Sequence, residues 1–317
     1  EAGTQYASLA EAVLAALWPV VVREFARKHG VVPGAQAVVL GMGSLGAGRL
    51  NAGSDLDLII LHDAEAGALS DGARPLDART YHARLTKAFL LAISAPTAAG
   101  RLYEVDMRLR PSGRQGPVAT SLASFCAYQQ DEAWTWEHLA LTRARRVAGS
   151  VELGAQVETF RVALLAQKAH NPTIRADLRA MRARLAEARP RQGPWDAKAG
   201  PGRLMDLELA AQFCALASGH RAQRIEAQFR AGASAGLLDK DTLGALQNAY
   251  RLFWQVQSTG RLIADGLFAP DAVGTGGQRT ILAATGQPDS TTLTQALERN
   301  ATRASALIDS LLADPAP

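Results

Sequence analysis

Cysteine is nearly absent: Cys126 and Cys214 are the only two in 317 residues. Two isolated cysteines make neither a disulfide framework nor a zinc site. The six histidines have no metal-ligand spacing. Long apolar runs are missing too. The longest, AVLAALWPVVV, is too short to span a bilayer and contains Pro19, which leaves no membrane partner to expect. No signal peptide is visible, and there is no initiating methionine; starting at Glu1, the sequence reads as a fragment of a longer cytoplasmic protein. Lysine is scarce, so the net charge of +4 rests on arginine. That suits anionic substrates such as nucleotides. No dense basic run with interleaved aromatics argues for nucleic acid. Repeats and low-complexity segments are likewise absent.

A chain of this length buries a large core and is expected to form two domains. Residues 8–29 read as an amphipathic helix, with Ser8 and Glu11 at capping-box spacing, Pro19 as a kink and Gly30 as a stop. AQAVVL (35–40) and LDLIIL (56–61) read as strands, the second apolar on both faces and therefore central. The five glycines between them are too many for a stable helix. Residues 81–94 are helical. LYEVDMRLR (102–110) alternates strictly, with Tyr103, Val105, Met107 and Leu109 toward a core and Glu104, Asp106, Arg108 and Arg110 on the other face. From Ser121 onward the pattern is helical, over about 121–147, 152–169, 173–188, 204–218, 220–231, 239–265 and 290–313, with Ser290 as an N-cap for the last. The Gly/Pro-rich interval 189–203 reads as an exposed or ligand-facing loop. The expected domains are 1–150, mixed α and β, and 151–317, a helical bundle.

GMGSLG (41–46) satisfies the G-x-G-x-x-G pattern, and Asp63 ends the next strand, so a dinucleotide site is one reading. Its difficulty is length, because a parallel crossover needs a helix of roughly ten residues that AGRLNAGS does not supply. It also leaves Asp55 and Asp57 unexplained. The second reading uses them. Gly43–Ser44 followed by Asp55-Leu-Asp57 matches a nucleotidyltransferase pattern. Residues i and i+2 of a strand share a side, and two carboxylates about 6 Å apart repel by roughly 3 kcal/mol at an effective dielectric near 20. That is about two pKa units, which divalent ions relieve while serving as hard Lewis acids for a polyphosphate. The glycine turn lets backbone N–H groups and the Ser44 hydroxyl approach the β- and γ-phosphates. Asp106 is the third carboxylate, with Arg108 and Arg110 neutralising phosphate or partner charge. The plainer alternatives are that Asp55 caps a turn and that Asp106 pairs with Arg108 or Arg110 at the surface.

These residues resemble a known family. GMGSLGAGRLNAGSDLDLII, LYEVDMRLRPSGRQGPVATSLASF, YQQDEAWTWEHLALTRARRVAG and KAGPGRLMDLELAAQF are similar, in order, to blocks of glutamine synthetase adenylyltransferase, from about residue 35 to 215. The third block is closer to the adenylylating, C-terminal half of that two-headed family. The resemblance implies an α+β, polymerase-β-like nucleotidyltransferase domain followed by an all-α helical bundle. It implies ATP and two Mg²⁺ ions, with AMP passing to a tyrosine hydroxyl of glutamine synthetase and Asp55, Asp57 and Asp106 as metal ligands and catalytic carboxylates. PII-type signal proteins would act through regions outside this fragment. Three positions depart from the family: Ser44 stands where lysine is usual, Arg49 where glutamate is usual and Arg203 where glycine is usual.

Beyond this set, Lys198 in the 189–203 loop could reach a phosphate or simply be exposed. Asp206 and Glu208 either face the nucleotide or favour a helix N-terminus. Trp134, Trp136 and His138 read as packing between domains, with adenine stacking as a minor option. Arg143, Arg145 and Arg146 read as a solvated or partner-facing edge, and His62 and the methionines as structural. The alternative to an enzyme is a nucleotide-sensing or docking module without turnover. A third, weaker idea is nucleotidyl transfer to a small molecule.

Overall fold

Two apolar segments, Ala37–Gly41 (β1) and Leu56–His62 (β2), pair antiparallel at the centre of the first of the two units into which the chain divides, Glu1–Leu165 and Ala166–Pro317. The structure, a computed structural model, describes residues 2–111, 113–264 and 273–314. The antiparallel pairing removes the dinucleotide reading, which needs a parallel crossover between these strands. Two short strands, Val105–Asp106 (β3) and Thr120–Ser121 (β4), add in parallel to β2, at its start and its end. Arg145–Gly149 (β5) closes the other side of β1. The order is β3-β2-β1-β5, with β4 also on β2.

Strand alternation divides the core in two. Val39, Leu56, Leu58 and Ile60 face Ala2–His29 (α1) and Ala78–Ser94 (α3), where Trp18 meets Phe89 edge-on at 5.0 Å. Val38, Leu40, Ile59 and Leu61 face the opposite way, toward Leu122–Asp131 (α4), Thr135–Leu141 (α5) and Val151–Lys168 (α6). The division between units lies within α6, later than residue 150, because Leu153, Val157 and Leu164 are buried in this second core.

Several elements differ from expectation for local reasons. The first helix starts at Ala2, so Ser8 and Glu11 lie inside it. A single helical turn, Gly43–Gly46 (α2), forms despite its glycines. The alternating segment 102–110 is a strand only at Val105–Asp106. The Asp106 carboxylate accepts the Arg108 N–H at 2.8 Å, an Asx turn that ends the ladder, and Leu109 packs on the other core. The expected helix 121–147 is two helices and a strand.

In the second unit the described residues form helices only: Ile174–Ala188 (α7), Leu204–Ala217 (α8), Ile225–Ser234 (α9), Lys240–Ile263 (α10), Thr275–Thr285 (α11) and Ser290–Leu312 (α12). α8 is buried almost all round. Asp289 rather than Ser290 caps α12, its carboxylate accepting the Thr292 N–H at 2.7 Å. Residue 265, where the expected helix 239–265 would end, lies outside the described residues.

Candidate active site

β2 begins where the sheet runs out of apolar side chains, and its first outward residue on the α4–α6 side is Asp57. Strand parity sets this, since Asp57 shares its side with Ile59 and Leu61. The register pairs Asp57 with Asp106 of β3 and Leu56 with Val105, which places Asp106 on the same face as Asp57. Asp55, exposed just before the strand, shares that parity.

Asp57 is half-buried and its pKa is raised to about 6. Burial is the largest cause, followed by the charges of Asp55 and Asp106; Arg108 and Arg143 pull the other way. The three carboxylates thus act on one another, though desolvation outweighs the repulsion expected from spacing alone.

The glycine turn fits against this carboxylate. Met42 N–H donates to the Asp57 carbonyl at 2.9 Å, holding the turn to β2. Gly43 has φ +50°, and a Cβ there would lie 2.1 Å from Asp57 Oδ2. The carboxylate occupies the space a side chain would need, so glycine is required twice over. Ser44 follows in the first turn of α2, half-buried. Gly46 packs on the Arg143 carbonyl, which a Cβ would meet at 2.2 Å.

The arginines behave less uniformly than the sequence suggests. Arg108 is tied to Asp106, its Nε donating to Oδ2 at 2.6 Å, and this hydrogen bond is the first reason its own pKa is raised. Arg110 turns away, donating to the Met107 and Gly116 carbonyls at 2.7 and 3.2 Å. Arg143 is buried, not part of a solvated edge, and its charge reaches Asp57. Arg145 holds Glu11 of α1 by Nη1 at 2.8 Å and donates to the Leu45 and Gly46 carbonyls at 2.9 and 3.0 Å, bracing the glycine turn. Only Arg146 is exposed.

Among the described residues no three His, Cys, Asp or Glu side chains stand ready at metal-ligand spacing. The donor set nevertheless fits a hard divalent cation. It offers carboxylate oxygens, and the half-buried Asp57 is held against its own ionisation by burial and its acidic neighbours, a strain that a cation relieves.

Other candidates fall elsewhere. Asp63 accepts the Gln36 N–H at 2.5 Å and serves the sheet edge. Trp134 and Trp136 are 71% and 38% exposed. His138 is buried on the Gln129 carbonyl. Lys198, Asp206 and Glu208 belong to the second unit. Asp206 takes the fork of Arg182, at 2.5 and 2.8 Å, and the Gly202 N–H at 2.7 Å, a structural pin for α7 and the loop before α8.

Residues 1–160 match the family model described as glutamate-ammonia ligase adenylyltransferase. The chain belongs to that family. Residues 179–312 match a second family model, GlnD PII-uridylyltransferase. Similar curated proteins include the bifunctional glutamine synthetase adenylyltransferase/adenylyl-removing enzymes of Xanthobacter autotrophicus, 44% identical over 300 residues, and of Rhizobium meliloti, 40% identical over 308. These alignments cover 92% and 94% of this chain but 30% and 31% of the relatives. The Brucella suis protein of the same name is 46% identical over 217 residues, 68% of this chain and 22% of its own length. The chain therefore spans about a third of the relatives it matches. None of its described helices is long and apolar enough to cross a membrane.

Proposed function

We propose that this chain is a protein nucleotidyltransferase, moving AMP from ATP to a tyrosine hydroxyl of glutamine synthetase on a polymerase-β-like scaffold. The observation that carries the reading is the rung that sets Asp57 beside Asp106, with Asp57 seated against Gly43. Family membership and the relatives' names support the substrate.

Asp55 and Asp57, with Asp106, are the residues that would hold two Mg²⁺ ions, whose charge would neutralise the phosphates and polarise the α-phosphorus. Asp106 takes the proton of the attacking hydroxyl. The hydroxyl oxygen bonds to the α-phosphorus, the bond to the β-phosphate oxygen breaks, and pyrophosphate leaves with that electron pair. Gly43 and Ser44 line the phosphates, with the first N–H groups of α2 and the Ser44 hydroxyl as donors. Arg108 releases Asp106 and moves to the phosphate charge; Arg110 and Arg143 stay as fixed positive charge around the site. PII-type signal proteins fit as regulators, since residues 179–312 match a PII-uridylyltransferase model.

The test is label transfer from α-phosphate-labelled ATP to glutamine synthetase. Asp57→Asn is expected to lose at least a hundredfold in rate, and a variant that labels as well as its parent would refute the assignment. One observation favours a second reading, a nucleotide-sensing or docking module: Arg108 already occupies Asp106. Calorimetry with ATP and Mg²⁺ separates the two, because heat of binding without pyrophosphate release is the module's signature.

A further inference from the structure

Two clefts in the second unit differ in how their cations are balanced. The first, about 420 Å³, is lined by Arg179, Arg182 and Arg189 with Asp206 and Asp309. Apart from Arg189, which lines both clefts, its cations are paired internally. Arg182 grips Asp206 and reaches Asp309 at 2.7 Å, and Arg179 bonds the Leu312 carbonyl and Asp314. The second cleft, about 500 Å³, has Arg189 and Lys198 from the 189–203 interval and Arg261 from α10, beside Gln192 and Gln257. All three cations are exposed, and among the described residues none of them forms an ion pair.

Among the described residues Asp196 is the one carboxylate on the lining, and backbone N–H groups hold it in place. Buried, it accepts the N–H groups of Gln192, Lys198 and Ala199 at 3.2, 3.0 and 3.0 Å. The loop that presents Lys198 is firmly held. Trp195 is buried and donates to Thr294 Oγ1 at 2.7 Å. The buried Arg203 lies over the Phe253 ring, donating to the Asp196 carbonyl at 2.6 Å and to Glu298 at 3.0 Å. Arginine thus has a purpose where its relatives are expected to carry glycine: it nails this loop to α10 and α12.

We propose that this cleft binds a polyphosphate chain, free or as the tail of a nucleoside triphosphate. Three cations, two from the 189–203 interval and one from α10, line one concavity, and among the described residues the single carboxylate there, Asp196, leaves an excess of positive charge. A multiply charged phosphate supplies what they lack, accepting from the planar arginine donors and from the lysine point charge. This site is independent of the transfer reaction proposed for the first unit.

The test is calorimetric titration of the whole chain with sodium tripolyphosphate in EDTA, which removes any contribution needing a divalent ion at Asp55 and Asp57. The parent is expected to bind. Lys198→Gln and Arg261→Gln are each expected to weaken binding by about fivefold or more, and the double variant to lose it at accessible concentrations. Lys240→Gln, which removes an exposed cation about 30 Å away along α10, should bind like the parent. Melting curves confirm that the variants are folded. ATP binding more tightly than tripolyphosphate would identify a nucleotide site, and equal affinity a site for the phosphate chain alone; both support the proposal. No binding by the parent, or equal affinity across all variants, overturns it. Labelling of glutamine synthetase is read separately, so a chain that transfers AMP but ignores tripolyphosphate refutes only this site.

Discussion

At the scale of single residues, Asp57 is the most informative side chain. Its pKa is raised to about 6, above the ordinary 3.8, so its proton belongs to the folded state. Its contribution to stability is complete below pH 4 and is lost as the pH rises through 6, by about 3 kcal/mol. In metal-free buffer at neutral pH, Asp57→Asn is therefore expected to melt higher than the parent while losing activity, a result that thermal denaturation with EDTA reads directly. Gly43→Ala is expected to do harm on both counts. The left-handed backbone costs about 1–3 kcal/mol in a residue with a side chain, and the new Cβ displaces Asp57 Oδ2. A fall of tenfold or more in label transfer at saturating ATP is the expected readout. That Asp55 and Asp57 share a face was legible, because alternation fixes it; that Asp106 lies level with Asp57 comes from the strand register, which no single segment shows. The buried place of Arg143 was not legible, because a run of arginines reads as surface until the fold packs its backbone carbonyl against Gly46.

At the scale of elements, long periodic helices and the two central strands follow from the apolar pattern, and short elements do not. β5 carries Arg145 and Arg146, so it reads as helix surface; its strand character comes from pairing with β1, which no local window contains. β3 stops at two residues because Asp106 prefers its own backbone turn to another rung. α11 opens with Thr-Gly-Gly and has no strong start signal. α1 keeps Pro19 in its interior, exposed and far from either end. Pro19→Ala is expected to raise stability by up to about 3 kcal/mol in chemical denaturation, since it restores a helical N–H and removes a clash. The Glu11–Arg145 pair joins α1 to the glycine turn. A double-mutant cycle to alanine is expected to give about 1 kcal/mol of coupling, together with a loss of label transfer in Arg145→Ala from the loosened turn.

At the scale of the whole molecule, the division inside α6 sets where the chain can be cut. A chain ending at Lys168 keeps Leu153, Val157 and Leu164 in the second core, and one ending at Ser150 loses all three. The longer piece is expected to unfold cooperatively and the shorter one to show no sharp transition by circular dichroism. A buried histidine stack adds a pH response to the same unit. His62 and His82 lie face to face at 4.1 Å; burial depresses both, His62 to about 4. As the pH falls from 6.5 toward 4, the unfolded chain takes up protons that the folded pair refuses, so stability falls. Asp57 acts with the opposite sign over much of this window, and His62→Phe should expose its slope.

Only two rungs of ladder hold Asp106 level with Asp57, and the Leu56 N–H to Glu104 carbonyl bond, at 2.9 Å, sits at their edge. So small a seam can part while the five-rung pairing of β1 with β2 stays shut. Deuterium should then enter at Leu56 well before it enters at Val39 or Ile60, and the acidic cluster would come apart and reassemble many times in the lifetime of one folded chain.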